Sequence, residues 1–259
     1  MRRFHYSALI FLCALITLLT TSCVNSKREE AIRTAAIYHS AGINFFADGK
    51  YKEARKNFEN AASLDRQNSY YFNDLALSCA ELGDMTSASK YYKEALRINP
   101  GLSEARNGLA TIMALQGDMP GAIIEWEKVI TDPLYKSPGI VHYNLGKAYL
   151  NLNDMGNAET HFQLALKFNP SHEKSLYSLG QINHKLGRID EAASFYRRAV
   201  ENDQSFTPAH YYLGEILFIQ KSYSDALKEF GKVIDAGDEL TLAAKAREYR
   251  EKIKKVLAP

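Results

Sequence analysis

The chain has 259 residues, of which 46% are hydrophobic and 24% charged, an ordinary globular composition with no disordered bias. Its formal charge of +2 disappears once Arg2 and Arg3 are set aside with the leading segment, leaving 30 basic against 30 acidic residues. A near-neutral body lacks the basic excess that neutralises phosphates, so nucleic acid is not an expected partner.

Arg2 and Arg3 precede an apolar run from Ala8 to Leu19, followed by Thr20, Thr21 and Ser22, which is the order of an export signal. A permanent spanning helix needs about 20 apolar residues, and this run is shorter, so cleavage is expected. Residues 1–22 are read as the signal and 23–34 as a lipidated N-terminus with a short linker. The stretch Leu19-Thr20-Thr21-Ser22-Cys23 resembles a bacterial lipobox, in which the thiol receives a diacylglyceryl group and the freed amine is acylated. Thr20 stands where leucine is usual, and secretory cleavage with an incidental Cys23 is the alternative. Two or more acyl chains, at about 0.8 kcal/mol per buried methylene, give a firm anchor. Covalent lipid on Cys23 is the one attached group expected, with no other cofactor. Val24 follows the cysteine where an aspartate would retain the protein, and by resemblance to lipoproteins of enteric-type bacteria this implies the periplasmic face of the outer membrane.

From residue 35 the chain repeats itself every thirty-four residues. In Gly139 to His172 the positions 7, 8, 11, 20, 24, 27 and 32 are Leu145, Gly146, Tyr149, Ala158, Phe162, Ala165 and Pro170. These are the positions of the tetratricopeptide motif, and the match fills the body as 35–68, 69–102, 103–138, 139–172, 173–206 and 207–240. Position 8 is always small (Gly42, Ala76, Ala110, Gly146, Gly180, Gly214) and position 20 always alanine. Position 24 is always aromatic: Phe58, Tyr92, Trp126, Phe162, Tyr196 and Phe230. Such spacing predicts core rather than a ligand box. Gly49, Gly83, Gly117 and Gly187, with Asn153 and Lys221 in the fourth and sixth repeats, fall at the turn inside each hairpin, where a left-handed residue is needed. The resemblance implies an all-α right-handed superhelix of six helical hairpins. Residues 241–259, with Leu242, Ala246, Tyr249, Ile253 and Val256 on one stripe, read as a capping helix and tail. The basic residues on its other side could alternatively meet acidic lipid or a partner.

No glycine-rich phosphate loop, nucleophile elbow or zinc-binding HExxH motif occurs in the body, so no catalytic residue, metal site or small-molecule substrate is expected. The histidines scatter over different repeat positions, and His142 and His210, both at position 4, read as packed, hydrogen-bonded side chains. Cys79, at position 11, reads as a buried and inert thiol. By the family geometry, positions 5, 9 and 12 of each first helix line the concave side. In repeats four to six these are Tyr143, Lys147 and Leu150; Tyr177, Gln181 and His184; Tyr211, Glu215 and Phe218. Three tyrosines in one row suit a protein-binding face, because each ring gives apolar area and a polar tip at low conformational cost. Simple packing along the row is the competing reading. Repeats one to three present His39, Ile43 and Phe46; Asn73, Leu77 and Ala80; Asn107, Thr111 and Ala114.

Six repeats behind a lipobox, with the turn Asp132-Pro133-Leu134-Tyr135, a two-residue lengthening at Ser137-Pro138 and then Asn144-Leu145-Gly146, resemble a known group. They are similar to the type IV pilus biogenesis and stability lipoproteins of the PilF/PilW/Tgl group, the pilotins of the pilus secretin. The third repeat departs, with Asn107-Gly108-Leu109 and Ala114-Leu115 where many members carry N-Y-G and a later L-C. The resemblance implies a non-enzymatic outer-membrane scaffold that binds a type IV pilus secretin and promotes its outer-membrane localisation and multimerisation. A periplasmic adaptor lipoprotein that recruits cell-wall enzymes or outer-membrane assembly factors is the alternative on the same architecture.

Overall fold

The computed structural model describes residues 26–258, which form thirteen helices and no strand. The signal segment and Cys23 lie outside the described residues. Helix α1 covers 26–47. It is followed by α2 (Tyr51–Leu64), α3 (Ser69–Glu81), α4 (Met85–Ile98), α5 (Ser103–Leu115), α6 (Met119–Ile130), α7 (Pro138–Asn151) and α8 (Met155–Phe168). Then come α9 (Glu173–Lys185), α10 (Ile189–Asn202), α11 (Thr207–Ile219), α12 (Tyr223–Ala236) and α13 (Leu240–Leu257).

One boundary differs from the sequence reading. Residues 26–34, expected as a linker, are helical and extend α1 toward the N-terminus. The stretch Ser26 to Thr34 holds neither glycine nor proline and is rich in Lys, Arg, Glu and Ala, which favour helix, so the periodic core pattern understated the helix's reach.

The linkage inside each hairpin is the same device repeated. Gly49, Gly83, Gly117, Asn153, Gly187 and Lys221 all have positive φ, between 59° and 91°. The next residue's N–H then donates to the carbonyl five residues back, as in Asp84 to Cys79 and Asp154 to Tyr149, both 2.9 Å. This wraps the last carbonyls of one helix before the chain turns. Asp84, Asp118 and Asp154 then cap the second helix, each carboxylate accepting from the backbone N–H three residues on, at 3.0 Å.

The chain forms two compact units, one ending at Glu125 and the other beginning at Trp126, inside α6. In the first, Phe58, Tyr71, Leu75, Tyr92, Leu109 and Ile112 form the core. In the second, Leu176, Tyr196, Tyr211, Ile216, Phe230 and Ile253 do so. The glycines at position 8 explain the spacing of the hairpin helices. A Cβ at Gly42, Gly146 or Gly214 would stand 2.6, 2.7 or 2.9 Å from Phe58, Phe162 or Phe230, so the aromatic at position 24 lies directly on the glycine backbone. Phe162 and Phe230 are fully buried, each stabilising the fold by roughly 1.5–3 kcal/mol.

In the third, fourth and sixth hairpins, positions 4 and 23 form a second, polar link. Arg106 Nη1 donates to Glu125 Oε2 at 2.5 Å. His142 and His161 join through Nδ1 atoms 3.1 Å apart. His210 Nε2 meets the Gln204 carbonyl at 3.0 Å and can only donate there, while Nδ1 stands 2.5 Å from Glu229 Oε2. The two position-4 histidines are thus packed and hydrogen-bonded. Cys79 is fully buried, and burial pushes its thiol up to about 11, outside the range of a reactive thiolate.

Candidate partner-binding cleft

In the second unit, the exposed sides of α7 and α9 enclose a cleft of about 440 Å³. Its lining includes Tyr143, Lys147, Leu150 and Asn151 from α7 and Lys174, Tyr177, Ser178 and Gln181 from α9, with Phe206 closing one end. Helical spacing brings them there: 143, 147, 150 and 151 share one face of α7, as 174, 177, 178 and 181 share one face of α9.

The aromatic walls are held in fixed orientations. Tyr143 stands edge-on to His172 at 4.8 Å, with Lys147 Nζ 5.7 Å from its ring centre. Tyr177 meets Phe206 edge-on at 5.3 Å, and its hydroxyl accepts from Gln181 Nε2 at 2.8 Å. Burial raises the Tyr143 and Tyr177 hydroxyls above their ordinary range, so both remain protonated. A second recess of about 360 Å³ adjoins at Gln181 and is lined further by His184, Lys185, Tyr196 and Tyr212. Tyr212 stacks on Tyr196, ring centres 5.7 Å apart.

Six of the residues read from the sequence therefore come together: Tyr143, Lys147, Leu150, Tyr177 and Gln181 in the cleft, and His184 in the adjoining recess. The other three do not. Tyr211 is 4% exposed, packed against Tyr212, Phe230 and Tyr249. Glu215 accepts a 2.8 Å hydrogen bond from the Tyr249 hydroxyl, and Phe218 stands edge-on to Tyr249 at 5.1 Å. The row of repeat six is thus covered by α13, whose Tyr249 also stacks on Phe230 at 5.0 Å. Burial, then the Glu215 bond, pushes the Tyr249 hydroxyl up to about 12.

Lys174, Asn151, Ser178, Phe206, Lys185, Tyr196 and Tyr212 were missed by the position rule. Lys174 and Ser178 could have been found, since they lie three residues before Tyr177 and Gln181 on the same face. The first unit's row differs in kind. His39 Nε2 pairs with Asp74 Oδ2 at 2.6 Å, and Asn73 donates to the same carboxylate at 2.9 Å, so its polar groups already satisfy one another.

Paired helices with aromatics over small residues, an open polar and aromatic row, and no clustered metal-binding side chains among the described residues define a repeat scaffold. The chain belongs to the tetratricopeptide-repeat family, whose model matches residues 39–103 and 141–205, about half of the sequence. Proteins built of this repeat are typically non-enzymatic scaffolds. Tetratricopeptide repeat protein 8 of Caenorhabditis elegans is 28% identical over 151 residues, which cover 57% of this chain and 29% of that protein. This chain spans little more than half the length, or less, of the curated relatives it matches. Among solved structures, PilF of Pseudomonas aeruginosa superposes with a TM-score of 0.76 at 16% identity, covering 85% of this chain and 99% of that one. PilW, described as a widely conserved type IV pilus biogenesis factor, superposes at 0.69 with 17% identity, covering 86% and 98%. At these identities the likeness is one of fold.

Proposed function

We propose that this chain is a lipid-anchored outer-membrane scaffold that holds a segment of a type IV pilus secretin and promotes its localisation and multimerisation. The observation that carries the reading is the open cleft on the first-helix row of repeats four and five, with its aromatic walls and exposed lysines. The fold shared over most of the chain with PilF and PilW supports it. Such delivery needs affinity and an address, and no catalytic residue.

The proposed address is Cys23. Only two residues, Val24 and Asn25, separate it from Ser26, where the described part of α1 begins, a reach of at most about 10 Å. The first repeat would then stand next to the inner leaflet, where a secretin subunit has to arrive before it inserts. Cys23→Ser should release the protein from membranes, and persistence in the membrane pellet after a salt wash would contradict the anchor. In a deletion strain, secretin multimers should be lost from the outer-membrane fraction and restored by the wild type. Normal multimers there without this chain would leave the adaptor reading in place of the secretin one. Tyr143→Ala with Tyr177→Ala should fail to restore them while folding normally.

A further inference from the structure

We infer that the partner segment held in this cleft is acidic, and that one of its carboxylates enters the adjoining recess to accept a hydrogen bond from the Tyr196 hydroxyl. The inference rests on the reading of the cleft as a partner groove and adds the chemistry of what fills it.

Two independent observations point the same way. The first is charge. Lys147 and Lys174 line the cleft and Lys185 the recess, all three exposed, and none has an ion-pair partner among the described residues. No acidic side chain lines either hollow, although the charges of Glu173 and Glu215, outside the lining, act on the Tyr143 and Tyr196 hydroxyls respectively. Other lysines of the second unit are neutralised locally in places, Lys228 by Asp225 at 2.9 Å and Lys254 by Glu251 at 2.9 Å, but what sets Lys147, Lys174 and Lys185 apart is that they line adjoining hollows with no acid among the lining residues. A run of cations left open along one groove favours an anionic guest and disfavours a cationic one.

The second is a buried polar atom without a partner. Tyr196 is fully buried, lines the recess, and its hydroxyl has no hydrogen-bond partner among the described residues. Phe58, Phe162 and Phe230 fill the same repeat position with no hydroxyl at all, so packing does not require this one. Burial raises its pKa, so at neutral pH it presents a proton and calls for an acceptor. His184, Lys185 and Gln181 surround the same recess with further donors. A carboxylate satisfies them together, while the leucine-like and aromatic parts of the segment lie against Tyr143, Leu150, Tyr177 and Phe206.

The test uses the purified full chain in detergent and a short fluorescein-labelled peptide alternating glutamate with leucine. The same peptide with every glutamate replaced by glutamine, or by lysine, serves for comparison. The glutamate peptide should bind, with an affinity that falls as salt is raised, and the other two at least about tenfold more weakly. Tyr196→Phe should weaken the glutamate peptide severalfold without lowering the melting temperature. Lys147→Glu with Lys174→Glu and Lys185→Glu should abolish its binding. Equal affinity for the glutamate and glutamine peptides, or unchanged binding by Tyr196→Phe, overturns the inference. Secretin that still co-purifies with the triple charge reversal overturns it too, while leaving the secretin reading intact. Glutamate-peptide binding by a chain that retains no secretin supports the acidic guest and removes the secretin.

Discussion

At the scale of single residues, the turn positions carry the most testable energetics. Lys221 takes φ 61° at the place where four of the six hairpins use glycine. A side chain there costs about 1–2 kcal/mol, and glycine returns part of that as extra freedom of the unfolded chain. Lys221→Gly should therefore raise stability by about 0.5–1 kcal/mol, read as a higher melting temperature, and a lower one would contradict this account of the turn. That Lys221 would bend left-handed was legible from repeat alignment alone, because lysine does not announce such a turn, whereas asparagine, as at Asn153, is a residue type that enters this region readily. Tyr196 shows the reverse case. Its place in the core was legible from the period, but its unpaired hydroxyl was not, since a one-dimensional pattern treats tyrosine and phenylalanine alike at a core position.

At the scale of the helical hairpin, the link between positions 4 and 23 shapes how the fourth and sixth repeats respond to acid. In repeat four it is a histidine pair. Burial lowers the pKa of both His142 and His161 from the ordinary 6.5, and the charge of His161 lowers His142 further. Because the folded state binds protons less readily than the unfolded one, the contribution of this pair is complete above about pH 6.5 and is lost as pH falls below it. Melting temperatures should decline between about pH 7 and pH 5, and His161→Phe should flatten that decline. In repeat six the corresponding Glu229 is held below its usual range: burial pushes its pKa up, but the hydrogen bond and charge of His210, with Lys232, outweigh it. Its contribution is lost only at lower pH, within the carboxylate range. A decline of equal slope in the His161→Phe variant would assign the effect to other groups. Position 4 was read as a packed histidine in the sequence, whereas its partner nineteen residues away needed coordinates.

At the scale of the whole molecule, the number of hairpins, their turns and their aromatic spine follow from a period that repeats six times. Tetratricopeptide membership, matched over residues 39–103 and 141–205, accounts for the fold at that level. The open row was legible only where its surroundings repeat as well. Positions 5, 9 and 12 name an open face provided the next element is another hairpin, which holds for Tyr143 and Tyr177. After repeat six the next element is α13, and Tyr249 turns the same three positions into core. Removing that ring should separate the two situations. Tyr249→Ala is expected to destabilise the second unit by roughly 2–4 kcal/mol, leaving Glu215 without the donor it has now. An unchanged melting temperature would mean that α13 covers repeat six without holding it.

The covering of repeat six by Tyr249 also bears on how such a chain can lengthen in evolution. Duplication of a hairpin is the simple route for a protein that repeats every thirty-four residues, and a copy placed between repeats four and five would meet the neighbours it already fits. A copy placed after repeat six would have to offer Tyr249 a carboxylate at position 9 and an aromatic at positions 12 and 24, as Glu215, Phe218 and Phe230 do now. Repeats four and five, with Lys147 or Gln181 at position 9, do not meet that demand. A copy of repeat four or five is therefore accommodated most easily in the interior of the second unit, where it brings its own stretch of open row.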